Sequence, residues 1–246
     1  LSGHVTKDGA LAGPRVLEHM VDVVLYLEGD PLSSMRILRG EKNRFGPTSE
    51  VGVLDMRNQG FVEIPDPSGL LLHGRLDDAV GSTLVCSLEG TRPMVLEVQA
   101  LVTPMVFPNP RRIANGLSLN RLHMVAAILT KRVGLSLGGY DIALNVVGGI
   151  RIEEPAVDVA VALAIVSSMR DITVGKSLVV VGELGLAGEL RRVAQLQRRI
   201  HEVSRLGFQR MLVPKSQTEE IQDTTNLEVI AVSELRQAVE RGLRDT

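Results

Sequence analysis

The sequence predicts a mixed α/β (α+β) protein in two parts: a β-rich opening of roughly 60 residues, then a larger α/β unit around a central sheet. Three observations carry this. The opening holds successive runs of strand pattern with no helical pattern to cover them. Ile64-Pro-Asp-Pro-Ser-Gly69 has the composition of a linker. Beyond it, strand and helix patterns alternate to the end of the chain. The domain boundaries that follow are 1–62, a linker over 63–72, and 73–246.

In order, Leu1–Lys7 reads as the end of a strand entering a loop broken by Gly9, Gly13 and Pro14. Val16–Asp30 is mostly apolar, with β-branched residues from Val21, and reads as a strand closed by the Gly29-Asp30-Pro31 turn. Met35–Arg44 and Val51–Arg57 are further strands. Three strands alone bury no core, so the opening reads as the remainder of a larger domain. After the linker, Val80–Leu88 and Met94–Val102 are strands around Glu89-Gly-Thr-Arg-Pro93. Leu117–Val133 carries apolar residues at helical spacing. Asp141–Val147 is a strand, Pro155–Met169 a buried helix and Leu178–Gly182 a strand. Gln195–Leu206 is an amphipathic helix with Leu196, Ile200 and Val203 inward and Arg198, Arg199 and Arg205 outward. Arg210–Val213, Leu227–Val232 and a helix over Ser233–Leu243 finish the unit.

Composition narrows the functional classes. Of 246 residues, 44% are hydrophobic and 23% charged, which excludes a long disordered tail. One cysteine, Cys86, excludes a disulfide framework and a cysteine-based zinc site, and reads as a core residue in a reducing, cytoplasmic setting. The longest apolar stretch, Ala156–Met169, has 14 residues and includes Asp158, too short and too polar to cross a membrane. No signal-peptide pattern is present, and the histidines lack metal-ligand spacing. Four Phe, two Tyr and no Trp leave little for stacking on unpaired bases.

Net charge is only −2, but it is unevenly placed. Val98–Tyr140 has five basic residues and no acid; Leu190–Lys215 has seven basic residues against Glu202 alone. Of 27 basic residues, 22 are arginine, whose planar fork suits phosphate. Each arginine taken singly reads as surface charge. Two separate windows together read as a surface facing a polyanion.

A phosphate loop requires Gly-x-x-x-x-Gly-Lys-Ser/Thr between a strand and a helix. Gly175-Lys-Ser177 offers only the ending, Arg170 stands where the first glycine belongs, and a strand follows. No His-Glu-x-x-His, Gly-x-Ser-x-Gly or Gly-x-Gly-x-x-Gly pattern occurs. More informative is Lys42-Asn-Arg-Phe-Gly46. On a strand, residues 42 and 44 share a face about 7 Å apart, a spacing that reaches adjacent phosphate oxygens, and Gly46 allows an immediate turn.

Residues 3–30, the Lys-Asn-Arg-Phe-Gly pentapeptide in its context, and the segments RRIANGLSLNRL, DIALNVVGGIRIEEPAVDVAVALAIVSS and VGELGLAGELRRV together resemble the RadA (Sms) family of bacterial DNA repair proteins. The resemblance covers nearly the whole chain. It implies the end of a RecA-like ATPase domain bearing the pentapeptide, followed by an α/β domain resembling the proteolytic domain of Lon (ribosomal S5 domain 2-like). It further implies a DNA-dependent ATPase or helicase that forms a hexameric ring and drives branch migration in homologous recombination. ATP and Mg²⁺ serve the whole family member, Zn²⁺ an N-terminal finger that this sequence lacks, and no cofactor belongs to the chain itself. By that resemblance Lys42 and Arg44 reach a neighbouring subunit's nucleotide or the DNA, and Lys7–Arg15 is a loop facing DNA, with Lys7 and Arg15 on phosphates. The resemblance also implies DNA, duplex or branched, as a sequence-independent partner, with a recombinase or replicative helicase beside it and no membrane.

Lon proteases use a Ser–Lys dyad, the lysine taking the serine's proton. Their serine segment aligns with Pro155-Ala-Val-Asp158, and their lysine with the Ala194–Arg199 run. Ala156 and Arg199 therefore stand at the dyad positions. Alanine has no nucleophile and arginine stays protonated, so no peptidase and no catalytic residue is expected here. The remaining basic residues, Arg111 and Arg112 in a loop after Pro110 and Arg121 on the next helix, are the candidate contacts to DNA. An alternative is a purely structural ring platform, with Arg191, Arg192 and Arg198 pairing between subunits.

Overall fold

A computed structural model describes residues 16–29, 34–222 and 227–243. The chain divides into two compact units, residues 1–65 with 90–92, and residues 66–89 with 93–246.

In the first unit, a short helix α1 (Val16–Met20) leads into β1 (Val23–Glu28), β2 (Met35–Asn43), β3 (Val51–Arg57) and β4 (Gly60–Glu63). These form an antiparallel sheet in that order, with a bulge in β1 between Val24 and Leu25. Val16–Met20 was read above as strand. Leu17-Glu18-His19-Met20 has no period-2 alternation and good helix formers, and the β-branched pair that favours a strand begins only at Val23. Val53, paired with Ile37, is fully buried, whereas Leu25, Leu27, Met56 and Phe61 stay exposed.

The second unit opens with α2 (Pro67–Leu72). The stretch 64–69 is therefore not only linker. The Asp66 carboxylate accepts the Gly69 N–H at 3.2 Å and Pro67 starts the helix, so the Asp-Pro pair is an N-cap followed by a proline that has no N–H to lose. A seven-stranded mixed sheet follows. Its strands are β5 (Ser82–Glu89), β6 (Arg92–Pro104), β7 (Arg112–Asn115), β8 (Tyr140–Val146), β9 (Leu178–Val180), β12 (Arg210–Pro214) and β13 (Glu228–Val232). Their order is β13-β12-β9-β5-β6-β8-β7. β13, β12, β9 and β5 run parallel, and β8 pairs antiparallel with β6 and parallel with the edge strand β7. A small hairpin, β10 (Glu183–Leu184) and β11 (Leu190–Arg191), stands apart.

Four helices complete the unit: α3 (Leu119–Ile128), α4 (Asp158–Arg170), α5 (Leu196–Arg205) and α6 (Leu235–Gly242). Ser118 caps α3 by accepting the Arg121 N–H, and a π-helical turn extends α3 through Leu129–Val133 to Gly134, whose φ is 79°. A 3-10 turn, Pro155–Val157, starts α4. Every residue from Asp158 to Ser167 is buried, because α4 is covered by β5 on one side and by α3 and α6 on others. An all-round apolar helix is the pattern of a core element.

The inward face of α5 differs from the sequence reading. Arg199 lies with Leu196, Ile200 and Val203 on the buried side and is wholly inaccessible, while Arg205 is exposed. No local signal distinguishes Arg199 from its neighbour Arg198; what draws it inward is a carboxylate far away in sequence.

Candidate functional site

That carboxylate is Glu154, which stands just before the 3-10 turn carrying Ala156. The two terminal nitrogens of Arg199 donate to its two oxygens at 2.8 and 2.6 Å. Arg199 Nε donates to the Ala194 carbonyl at 2.9 Å, and Nη1 also reaches the Cys86 carbonyl. Glu154 in turn accepts the Leu88 N–H at 2.6 Å. The charge is neutralised by a fork-to-fork pair and its donors are taken up by carbonyls. Ala156 is buried at the head of α4, its carbonyl accepting the Gly182 N–H at 2.9 Å. Cys86 is also buried, and burial drives its thiol far above the ordinary range.

Asp158, the first residue of α4, is completely buried. One oxygen accepts from Arg121 Nη1 at 2.7 Å and the other from the Leu184 N–H at 3.2 Å. Burial pushes its carboxyl up, against the pull of Arg121. Arg121, offered by the sequence as a DNA contact, thus spends its charge on joining α3 to α4.

The neighbouring arginines divide. Arg112 opens β7 rather than lying in a loop, and folds back to donate to the Leu137 carbonyl at 2.9 Å and to the Tyr140 carbonyl. Partial burial lowers its pKa. Arg111 stays exposed, its guanidinium 3.8 Å above the Phe107 ring, while its backbone N–H donates to Asp141 at 2.7 Å. Of the three arginines proposed from sequence for this face, Arg111 alone keeps its side chain clear of protein polar groups.

In the first unit, Lys42 and Arg44 do point the same way, and their target is the α1–β1 junction. Lys42 Nζ donates to the carbonyls of Glu18 at 2.9 Å and Val21 at 2.8 Å. Arg44 pairs with Asp22 at 3.0 Å, and its N–H donates to the Asp22 carbonyl. Between them, Asn43 accepts the Phe45 N–H at 3.1 Å, fixing the turn that leaves Phe45 exposed. Lys7 and Arg15 lie outside the described residues.

Among the described residues, no phosphate-binding loop opens a helix. Gly175-Lys-Ser177 sits in the turn before β9, and Lys176 is tied to Asp78 at 2.9 Å. Among the described residues, no three His, Cys, Asp or Glu side chains gather as a metal site, and no helix is long and apolar enough to cross a membrane. Sequence reasoning missed Glu154 and Asp158 as partners; each lies more than 30 positions from its arginine, so spacing carries no trace of them.

The family model described as subunit ChlI of Mg-chelatase matches residues 120–217, which hold α3, α4 and α5. DNA repair protein RadA of Listeria monocytogenes is 47% identical over 243 residues, covering 99% of this chain and 53% of the relative. The RadA proteins of Bacillus subtilis and Streptococcus pneumoniae are 45% and 48% identical, covering 98% and 97% of this chain and 53% and 57% of those relatives. The chain spans about half the length of the curated relatives it matches. Across that half the chain is similar to these RadA proteins.

Proposed function

We propose that this chain is the DNA-contacting and ring-assembling part of an ATP-driven motor for DNA repair and recombination, with no peptidase activity. What supports the reading is that Ala156 and Arg199, the latter buried and paired with Glu154, stand where the resemblance to Lon would put a serine and a lysine, so that binding is the work proposed for this part. Similarity to proteins named DNA repair protein RadA over nearly the whole chain supports DNA as the partner; the form proposed is duplex or branched DNA, bound through phosphates without regard to sequence.

ATP and Mg²⁺ would act in the complete motor, and Zn²⁺ in a finger of the family; among the described residues no group of three or more His, Cys, Asp or Glu could hold a metal ion. Arg44, with one exposed carboxylate partner, is placed to meet a phosphate on a neighbouring copy, and Lys42 would have to leave two carbonyls to do so. A hexameric ring in the cytoplasm, meeting a recombinase or replicative helicase, belongs to the same proposal.

The alternative is a structural platform whose Arg191, Arg192 and Arg198 pair between copies. Arg191 and Arg192 already pair with Glu189 and Glu220 of the same chain, which leaves them less to offer a neighbour. Fluorescence anisotropy with a labelled duplex separates the readings. Binding at low salt that weakens as salt rises supports DNA contact; oligomers that bind no DNA support the platform.

A further inference from the structure

Several surface cations of the second unit have a carboxylate within reach, as in Lys176–Asp78, Arg191–Glu189, Arg192–Glu220 and Arg210–Glu228. Among those that do not, Arg132 and Arg236 meet, with Lys131 next to Arg132 in sequence. Lys131 and Arg132 lie in the π-helical turn at the end of α3, and Arg236 lies in the first turn of α6. All three are exposed, and among the described residues none has a carboxylate within 4.0 Å.

Arg132 and Arg236 are joined through hydrogen bonds to carbonyls, and Lys131 is the sequence neighbour of Arg132. Arg236 Nη2 donates to the Arg132 carbonyl at 3.1 Å, and Arg132 Nε donates to the Leu186 carbonyl, also at 3.1 Å. Leu186 is 70% exposed at the tip of the β10–β11 hairpin. Arg132 packs over Gly188, where an added Cβ would stand 3.1 Å from its Cγ and where φ is +90°. Each guanidinium therefore spends one of its five N–H donors on orientation and leaves the others to solvent. Cations held in place before a ligand arrives bind phosphate with less ordering cost. Bringing like charges together with no acid between them is unfavourable unless an anion completes the set.

We propose that Lys131, Arg132 and Arg236 form a phosphodiester-binding patch, separate from Arg111, that docks the backbone of duplex DNA beside the β10–β11 hairpin. This rests on the DNA-contacting reading above and adds the place of contact. Lys131 and Arg132 belong to the acid-free window of the sequence, and Arg236 comes from outside both basic windows, 104 positions downstream of Arg132.

The test is salt-dependent anisotropy of the 246-residue chain with a fluorescein-labelled mixed-sequence duplex. Wild type is compared with Lys131→Glu/Arg236→Glu and with a control of equal charge, Arg151→Glu/Arg170→Glu, which reverses two exposed cations outside both basic windows. Arg132 is left intact because it holds the hairpin, and thermal melts check folding. The patch variant is expected to bind at least about tenfold more weakly at low salt. Losing two phosphate contacts should also flatten the slope of log affinity against log salt by roughly 1.8. The control should stay within about twofold of wild type. Equal losses in both variants reduce the effect to bulk charge and overturn the patch. Unchanged DNA binding in the patch variant leaves an acidic protein surface as the partner and also overturns it. No binding by wild type overturns the DNA-contacting reading itself.

Discussion

Arg199 holds Glu154 through both of its terminal nitrogens, at 2.8 and 2.6 Å, and is itself wholly buried. A buried pair costs more when one partner is removed than when both are replaced, because a single charge is then left without compensation. Arg199→Ala should therefore destabilise the fold by about 3–5 kcal/mol, whereas Glu154→Gln/Arg199→Met should recover a good part of that. Urea unfolding of the three proteins measures this. The reconstructed dyad Ala156→Ser/Arg199→Lys should cleave no casein, since the lysine would remain charged against Glu154. Cleavage by that variant would show that the site retained its catalytic geometry.

Arg121 does the same for Asp158. The folded Asp158 carboxyl titrates above its ordinary value of 3.8, so its contribution to stability is full below that pH and is lost as pH rises through the folded value. Arg121 offsets part of that loss. Arg121→Ala should cost roughly 3 kcal/mol near pH 7, and progressively less as pH falls towards 4 and Asp158 takes up its proton. Chemical denaturation across that range checks the sign. A cost that is flat with pH would mean that the pair does not govern the site.

Cys86 should resist thiol reagents in the native state. Burial raises its pKa and denies access, so labelling by DTNB at about pH 8 should follow unfolding and not the thiol's intrinsic reactivity. Fast labelling of native protein would contradict the packing of β5 against α5.

Lys42 should be read first as an anchor. Replacing it by methionine removes the donor to the Glu18 and Val21 carbonyls, and hydrogen exchange of Val16–Asp22 should quicken while β3 and β4 remain protected. Lys42→Arg should restore part of the protection. Unchanged exchange in Lys42→Met would leave the amine free for an external phosphate.

Local pattern explains most of the architecture and little of the pairing. The continuous apolar run after Pro155 announces α4, and the spacing of Leu196, Ile200 and Val203 announces α5, because burial of a helix face repeats within a few residues. The same spacing placed Arg199 on the wet side. Its neutralising carboxylate is 45 positions away, and only the tertiary fold brings the two together. Arg112 and Arg121 were expected at a DNA surface for the same reason: the Leu137 and Tyr140 carbonyls and the Asp158 carboxylate that occupy them are non-local. Lys42 and Arg44 both reach the α1–β1 junction, Arg44 from just beyond the end of β2, and the helix that leads into that junction lay hidden in a stretch read as strand. The identities of Ala156 and Arg199 were legible, whereas the Glu154 carboxylate that pairs with Arg199 was not.

The central claim is that this chain contacts DNA through phosphates. Its most direct test is the affinity of the wild-type chain for a labelled duplex across a salt series. The account predicts binding at low salt and a straight fall of log affinity with log salt, with a slope of several counterions. Absence of binding at the lowest salt, or an affinity indifferent to salt, would contradict it.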